Sequence, residues 1–149
     1  MLKNYLKVII LLLLILMLTA CGGEELTGTS VSFEELAREV DEQEYDIAEE
    51  IKKLDGEVVE MEGYMSTLTP LDVDYFYLTA NPGVACPFCE GEEVNYFTVV
   101  QVYFPSEQGF RFSRDLQRVV GRLEVGEKVD QYGAKSKFRI KAEIMETVE

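Results

Sequence analysis

An alternation of apolar and charged residues near the end of the chain constrains its fold more than any other feature. Residues 138–144 read Phe-Arg-Ile-Lys-Ala-Glu-Ile. Because successive side chains of a β-strand point to opposite faces, this pattern predicts a strand with one buried face. Segments rich in β-branched and aromatic residues predict four more strands, at residues 57–65, 75–80, 96–104 and 116–125. The chain is therefore expected to be mainly β, with Phe110 and Phe112 marking a further short strand.

Five principal strands favour one small barrel. Gly63 interrupts the alternation of the first strand, which predicts a strand that bends. A bent first strand among five is typical of the partly open, five-stranded barrel of the oligonucleotide/oligosaccharide-binding (OB) type. A β-sandwich is the alternative, since alternation alone does not determine how strands close.

Two short helices are expected before the strands. Ser32 and Glu35 form a capping box at the start of the first, over residues 32–40. The second has apolar residues at helical spacing over 47–54 and ends before Gly56. Both are too short to be stable alone and are expected to cover the larger core.

The first 21 residues have the pattern of an export signal. Lys3 and Lys7 are followed by an apolar run over residues 8–18, which is shorter than the roughly 20 apolar residues of a membrane-spanning helix. The run ends in Leu-Thr-Ala before Cys21, an arrangement that resembles the lipobox of bacterial lipoproteins. The resemblance implies that residues 1–20 are removed and that Cys21 is lipidated, which anchors the protein at the extracytoplasmic face of the cell membrane. An ordinary cleaved signal and an uncleaved anchor are the alternatives.

This assignment divides the chain and changes its charge. Residues 21–31 are expected to form an acylated N-terminus and a flexible tether, and residues 32–149 a single β domain. The chain has 14 basic and 28 acidic residues, and Lys3 and Lys7 leave with the signal, so the mature chain has a net charge of −16. A domain this acidic would repel phosphate backbones, so nucleic acid is excluded as a partner.

Three short segments also resemble an uncharacterised OB-like domain of bacterial exported proteins and lipoproteins. They are residues 54–59 with the Gly63-Tyr64-Met65 and Leu68 that follow, residues 82–86, and residues 119–124, and the resemblance extends over residues 33–147. It implies an OB-like fold and, because some relatives are encoded near transport permeases, a link to transport. Many relatives continue after the first cysteine with a histidine, whereas this chain has no histidine, so a metal role is not carried over.

Cys86 and Cys89 form the one compact chemical motif, Cys-Pro-Phe-Cys. The favoured interpretation is a structural disulfide in the loop between the second and third strands, since disulfides persist in an oxidising compartment. Thiol-disulfide exchange is an alternative, although nearby carboxylates oppose thiolate formation. Zinc binding is another, in which Glu90, Glu92 or Glu93 would complete the ligand set. No other cofactor is expected.

Two further sets of side chains are candidates for binding. Asp72 and Asp74 could bind a cation or act as a catalytic pair, but their spacing is equally typical of a solvated turn. Aromatic side chains could line a barrel face and stack a ligand, although core or cross-strand pairing is the favoured interpretation. These are Tyr64, Tyr75, Tyr77, Tyr96 and Tyr103.

The sequence therefore predicts a membrane-anchored extracytoplasmic lipoprotein that is not an enzyme. No catalytic residues are assigned, and the domain is expected to act as a binding or accessory module for an envelope or transport system, with an envelope protein as partner. The alternatives are a metal-binding or metal-delivery protein that uses Cys86 and Cys89, and a thiol-disulfide oxidoreductase.

Overall fold

The computed structural model describes residues 26–41, 44–67, 73–84, 96–105, 111–131 and 133–148. Strands dominate this part of the chain, which confirms the mainly β prediction. A 3₁₀ turn covers Phe33–Glu35 and one α-helix, α1, covers Glu49–Lys52. The strands are β1 (Thr29–Ser30), β2 (Ala37–Asp41), β3 (Glu44–Ile47), β4 (Val58–Met65), β5 (Tyr75–Thr79), β6 (Val99–Tyr103), β7 (Gln117–Val129) and β8 (Lys135–Thr147). No helix among these residues is long and apolar enough to cross a membrane.

Six strands form one sheet in the order β1-β4-β5-β6-β8-β7. Strand β4 also pairs with β7. The five strands β4-β5-β6-β8-β7 therefore form a closed cycle of pairings, in which the last strand pairs with the first. Within this cycle only β6 and β8 run parallel, and β1 joins β4 from outside it, also in parallel. A β-sandwich would need two facing sheets, whereas here the large sheet meets itself and the second sheet holds only β2 and β3.

Strand β4 changes partner at the predicted interruption. Residues 58–63 pair with β7, whereas Tyr64 and Met65 pair with β5. Gly63 lies at the change, and a Cβ there would fall 2.8 Å from the Thr79 carbonyl oxygen. The missing side chain lets β4 approach β5 closely while it bends from one neighbour to the next.

One apolar core lies on the inner face of the five-stranded cycle. Leu36, directly after the 3₁₀ turn, and Ile51 of α1 extend it; Leu36 is completely buried and Ile51 is 3% exposed. The strands contribute Val59, Met61, Met65, Phe76, Leu78, Val100, Val102, Val119, Leu123, Phe138, Ile140 and Ala142. The alternation over residues 138–142 thus places its apolar side chains in the core as predicted.

The helix predicted over residues 32–40 is wrong. Its capping interaction exists, because the Ser32 N–H donates to Glu35 Oε2 at 2.7 Å, but the helical turn ends after three residues. Residues 37–41 instead form β2, which pairs antiparallel with β3. The predicted apolar stripe is buried only in part, since Leu36 is completely buried whereas Val40 at its end is 57% exposed. Because the end of that face is exposed, core packing does not stabilise a helix over all of residues 32–40 against strand pairing.

The second predicted helix is present but short. Only four residues, Glu49–Lys52, are α-helical, and the residues that follow form turns up to Gly56, whose φ of +83° suits glycine. Ile47, expected at the start of this helix, lies in β3.

Candidate functional site

Most of the chemically reactive residues singled out in the sequence lie outside the described residues. The segment with the cysteines joins β5 to β6, the second and third strands of the cycle, as expected. Asp74 is described, and its backbone carbonyl accepts a hydrogen bond from the Phe104 N–H at 3.2 Å. In the part of the chain that the structure describes, no three acidic, His or Cys side chains group as metal ligands. The predicted site residues that lie outside the described part of the chain are Cys21, Asp72, Cys86, Cys89, Glu90, Glu92 and Glu93.

Three of the five tyrosines meet on the outer face of the sheet. Tyr75 and Tyr103 are register partners on β5 and β6, and the ring of Tyr75 lies 5.5 Å from the rings of both Tyr77 and Tyr103, edge to face. Tyr75 is 1% exposed and Tyr77 3%. The favoured interpretation as core or cross-strand pairs is confirmed for these three: Tyr75 and Tyr103 pair across the strands, and Tyr77 is buried beside Tyr75 on the same strand. Tyr64 lies on β4 and Tyr96 before β6, and both are half-buried.

The turn between β7 and β8 lies over this outer face. The pairing of the two strands shifts register between Val125 and Lys128, where Gly126 has a φ of +113°. Such a bulge bends a hairpin. Directly after β7, Asp130 Oδ2 accepts a hydrogen bond from Gln101 Nε2 of β6 at 3.3 Å. The bent hairpin thus places the start of the β7–β8 turn against the outer face of β6.

Asp130 also reaches the tyrosine cluster. Burial raises the pKa of the Tyr75 hydroxyl far above its usual value, and hydrogen bonds with Tyr77 and Asp130 raise it further. A carboxylate only accepts, so the Tyr75 hydroxyl is the donor in its hydrogen bond with Asp130. Burial likewise raises the pKa of Tyr103, with a contribution from the charges of Asp130 and Asp74. Both phenols therefore stay neutral at physiological pH.

Arg139 holds the bend in place. Its guanidinium is buried, with Nη1 donating to the Gly126 carbonyl at 2.8 Å and to Ser136 Oγ at 3.2 Å, and Nε donating to Glu124 at 3.2 Å. The alternation predicted this residue on an exposed face; instead Glu124 and Gly126 of β7 and Ser136 of β8 enclose its guanidinium.

Glu124 is held in its charged form by several cations. Lys141 Nζ lies 2.6 Å from Glu124 Oε1, and Lys128 Nζ lies 3.5 Å from Oε2. The hydrogen bond from Lys141 is the largest cause that lowers the pKa of Glu124 to about 2; burial opposes it, and Arg139 adds to it. This carboxylate stays ionised over the whole physiological range.

Gln101 lies in the middle of this arrangement and was not identified from the sequence. Its side chain is 1% exposed, and Oε1 is buried without a hydrogen-bond partner in the described structure. The amide cannot be reversed to correct this, because the acceptor-only carboxylate of Asp130 requires Nε2 to face it. A buried acceptor without a partner costs about 1–3 kcal/mol of folding stability, so a glutamine at this position needs an explanation other than stability. The one available sequence signal was an isolated polar residue within the apolar run Val-Val-Gln-Val.

Substitution of Gln101 tests this environment. The substitution Gln101→Leu removes the unpartnered acceptor. Asp130 still accepts the hydrogen bond from the Ala134 N–H at 2.9 Å. We therefore expect the free energy of unfolding to change by less than about 1 kcal/mol. Gln101→Glu places a second carboxylate against Asp130 and should cost about 2 kcal/mol at pH 7. Urea unfolding followed by circular dichroism measures both. Equal losses for the two variants would contradict the position assigned to Asp130.

Comparison with known proteins gives a likeness of fold. No family model and no curated protein matches the sequence. Among solved structures, the chain is similar to the crystal structure of a DUF3299 family protein from Pseudomonas aeruginosa PAO1, with a TM-score of 0.55 and 14% identity over 83% of this chain and 97% of that one. At this identity the likeness concerns the fold alone, and the resemblance to an OB-like family of exported proteins stays a prediction.

Proposed function

We propose that the protein is a bacterial lipoprotein, held by Cys21 at the extracytoplasmic face of the membrane, whose β domain binds an envelope component and catalyses no reaction. The observation that carries the binding role is the unpartnered, 1% exposed Gln101 beneath the β7–β8 turn. If the buried tyrosine cluster around Gln101 served packing alone, an apolar side chain at this position would avoid the cost of an unpartnered acceptor. The lipobox pattern that ends at Cys21 supports the anchor.

The fold part of this proposal is a five-stranded, partly open OB-like barrel made by β4 to β8. Its support is the cyclic strand order, the bent β4 and the parallel contact between β6 and β8. OB barrels bind ligands on the face of their second and third strands, beside the loops after the first and fourth. The corresponding parts here are β5, β6 and the β7–β8 turn, which surround Gln101 and the tyrosine cluster.

The chemistry of this face limits the ligand. Gln101 Oε1 can accept a hydrogen bond from an N–H or O–H group of a ligand. The edge-to-face rings of Tyr75, Tyr77 and Tyr103 provide apolar surface beside it. Asp130 and the acidity of the chain disfavour an anion at this position. The ligand is therefore a neutral or cationic group of an envelope molecule, and its entry requires the β7–β8 turn to move aside.

The anchor is tested by Cys21→Ala in bacterial cells that produce the full chain. An alkyne analogue of palmitate should label the parent protein and not the variant, because acylation requires the thiol of Cys21. Intact mass of the parent should show loss of residues 1–20 and, in the same spectrum, the redox state of Cys86 and Cys89. Equal labelling of both proteins, or a mass that retains residues 1–20, would overturn the anchor.

The binding face is tested separately by photo-crosslinking in the same cells. A benzophenone side chain at position 131, which is exposed beside Asp130, should give an adduct that is absent when the crosslinker stands at the exposed position 50 of α1. Gln101→Leu should abolish that adduct while leaving the domain folded. The binding role is refuted by identical adducts from both positions, by an adduct that survives Gln101→Leu, or by none at all.

A further inference from the structure

The basic residues of this acidic chain are concentrated in one region. Nine of the 14 Lys and Arg residues lie between positions 111 and 141, together with only four of the 28 acidic residues. Most of these cations lie within 4 Å of a carboxylate, as Arg118, Lys128, Lys137, Arg139 and Lys141 do. In so acidic a protein, a cation without a carboxylate partner is therefore a candidate for binding an anionic ligand.

Arg111 and Arg114 are two such cations, and they line the same cavity. Both side chains are exposed, and neither has a carboxylate within 4 Å among the described residues. The cavity has a volume of about 510 Å³, within the range of small-molecule sites. It lies between the segment 111–115 and the paired ends of β7 and β8, where Gln117 and Thr147 are register partners.

The backbone that carries the two arginines is fixed by short-range hydrogen bonds. Ser113 between them donates its N–H to Met65 Sδ at 3.4 Å, and its hydroxyl both donates to Asp115 Oδ2 at 3.0 Å and accepts from the Asp115 N–H at 3.1 Å. Gln117 Nε2 then donates to the Asp115 carbonyl at 2.9 Å. The guanidinium groups are thus presented from an ordered support, which lowers the entropy cost of binding.

The acidic side chains in the lining are already engaged. Glu146 Oε1 accepts from Arg118 Nη1 at 2.6 Å, and Asp115 accepts from the Ser113 hydroxyl. Phe112, which is 41% exposed, and Met145, which is half-buried, add apolar surface to a lining that is otherwise polar. The cavity therefore combines two guanidinium groups that have no carboxylate partner among the described residues with a small apolar patch made by Phe112 and Met145.

We propose that this cavity binds a phosphate group carried by an apolar moiety. Guanidinium groups donate two parallel hydrogen bonds to phosphate oxygens, and two of them can share the oxygens of one phosphate group. Phe112 and Met145 take the apolar part. The site is separate from the face around Gln101, so it does not depend on the binding role proposed above. A soluble phosphate ester and the headgroup of an anionic phospholipid share this chemistry.

Phenyl phosphate is the probe, since it joins a dianion to an aromatic ring. Calorimetric titration into the full chain, reconstituted in phosphatidylcholine nanodiscs, should show binding that exceeds that of inorganic phosphate. Arg111→Gln and Arg114→Gln should each weaken it about tenfold, and the double variant more, because each removes a charge-assisted hydrogen-bonding group. The matched control is the double variant Lys53→Gln/Lys135→Gln, which loses the same charge from exposed cations outside the cavity and should bind as the parent does.

Nanodiscs that contain phosphatidylglycerol distinguish the two sources. If the headgroup occupies the cavity, phenyl phosphate should bind at least tenfold more weakly in these discs than in phosphatidylcholine alone; if the ligand is soluble, the two affinities should agree. Both results support a phosphate site, provided that binding depends on Arg111 and Arg114. Absence of binding by the parent, or an equal loss in the lysine control, overturns it.

Discussion

Gly121→Ala should lower the free energy of unfolding by about 3 kcal/mol, because the strand pairing leaves no room for a side chain. Gly121 lies on β7 between Val59 of β4 and Ala142 of β8. A Cβ at this position would fall 2.2 Å from the Lys141 carbonyl oxygen and 2.7 Å from the Ala142 Cα. Both are backbone atoms of a paired strand, so they cannot move aside as a flexible side chain could.

Gly133→Ala is the matched control for this prediction. Gly133 has a φ of +84° in the β7–β8 turn, and a Cβ there would meet no atom within 4 Å. The substitution should cost about 1 kcal/mol, from the left-handed backbone alone. Urea unfolding followed by circular dichroism compares the two. A smaller loss for Gly121→Ala than for Gly133→Ala would contradict the close approach of β7 and β8.

Glu124→Gln should cost about 3 kcal/mol at pH 7 and progressively less in acid. In the folded protein the pKa of Glu124 is lowered to about 2 from its ordinary value of 4.5. A depressed pKa stabilises the fold above the unfolded value, so this contribution is complete above about pH 5 and disappears as the pH falls from 4.5 towards 2. Substitution also leaves the buried Arg139 guanidinium without its carboxylate, which increases the loss at neutral pH.

The measurement is the free energy of urea unfolding between pH 2 and pH 7 for the parent and the variant, whose curves should converge at the acidic end. Glu143→Gln provides the control, since Glu143 is an exposed carboxylate on β8 with no carboxylate–cation pair in the described structure. Its curve should run parallel to that of the parent. Parallel curves for Glu124→Gln as well would show that the cations around Glu124 do not stabilise the fold.

The strands were predictable because each leaves a local mark in the sequence. The five principal segments were identified within a few residues, including the bend at Gly63, although β6 is shorter than predicted and β7 and β8 are longer. Phe112, expected in an extra strand, lies in the irregular segment before β7. The helix over 32–40 failed because three apolar residues at helical spacing occur as readily where a strand leaves the core.

The candidate sites were less predictable. The tyrosines were identified, but the group around Gln101 depends on the bulge near Gly126, which returns the β7–β8 turn to the outer face of β5 and β6. A glycine in an alternating pattern indicates a bulge without indicating its direction. The cavity beside Arg111 and Arg114 brings together the segment before β7 and the end of β8, about 30 residues apart along the chain, and local patterns carry no information about such a contact.

The sequence by itself determined the mainly β class, the positions of the main strands and the apolar face of each. It also carries the lipobox pattern on which the proposed anchor rests. Only the tertiary structure decided that β4 pairs with both β5 and β7, that Arg139 is buried, and that Gln101 is enclosed with an unpartnered oxygen. The physical reason is that alternation reports which face of a strand avoids water, whereas pairing partners and the cover over the other face depend on contacts between residues far apart in the chain.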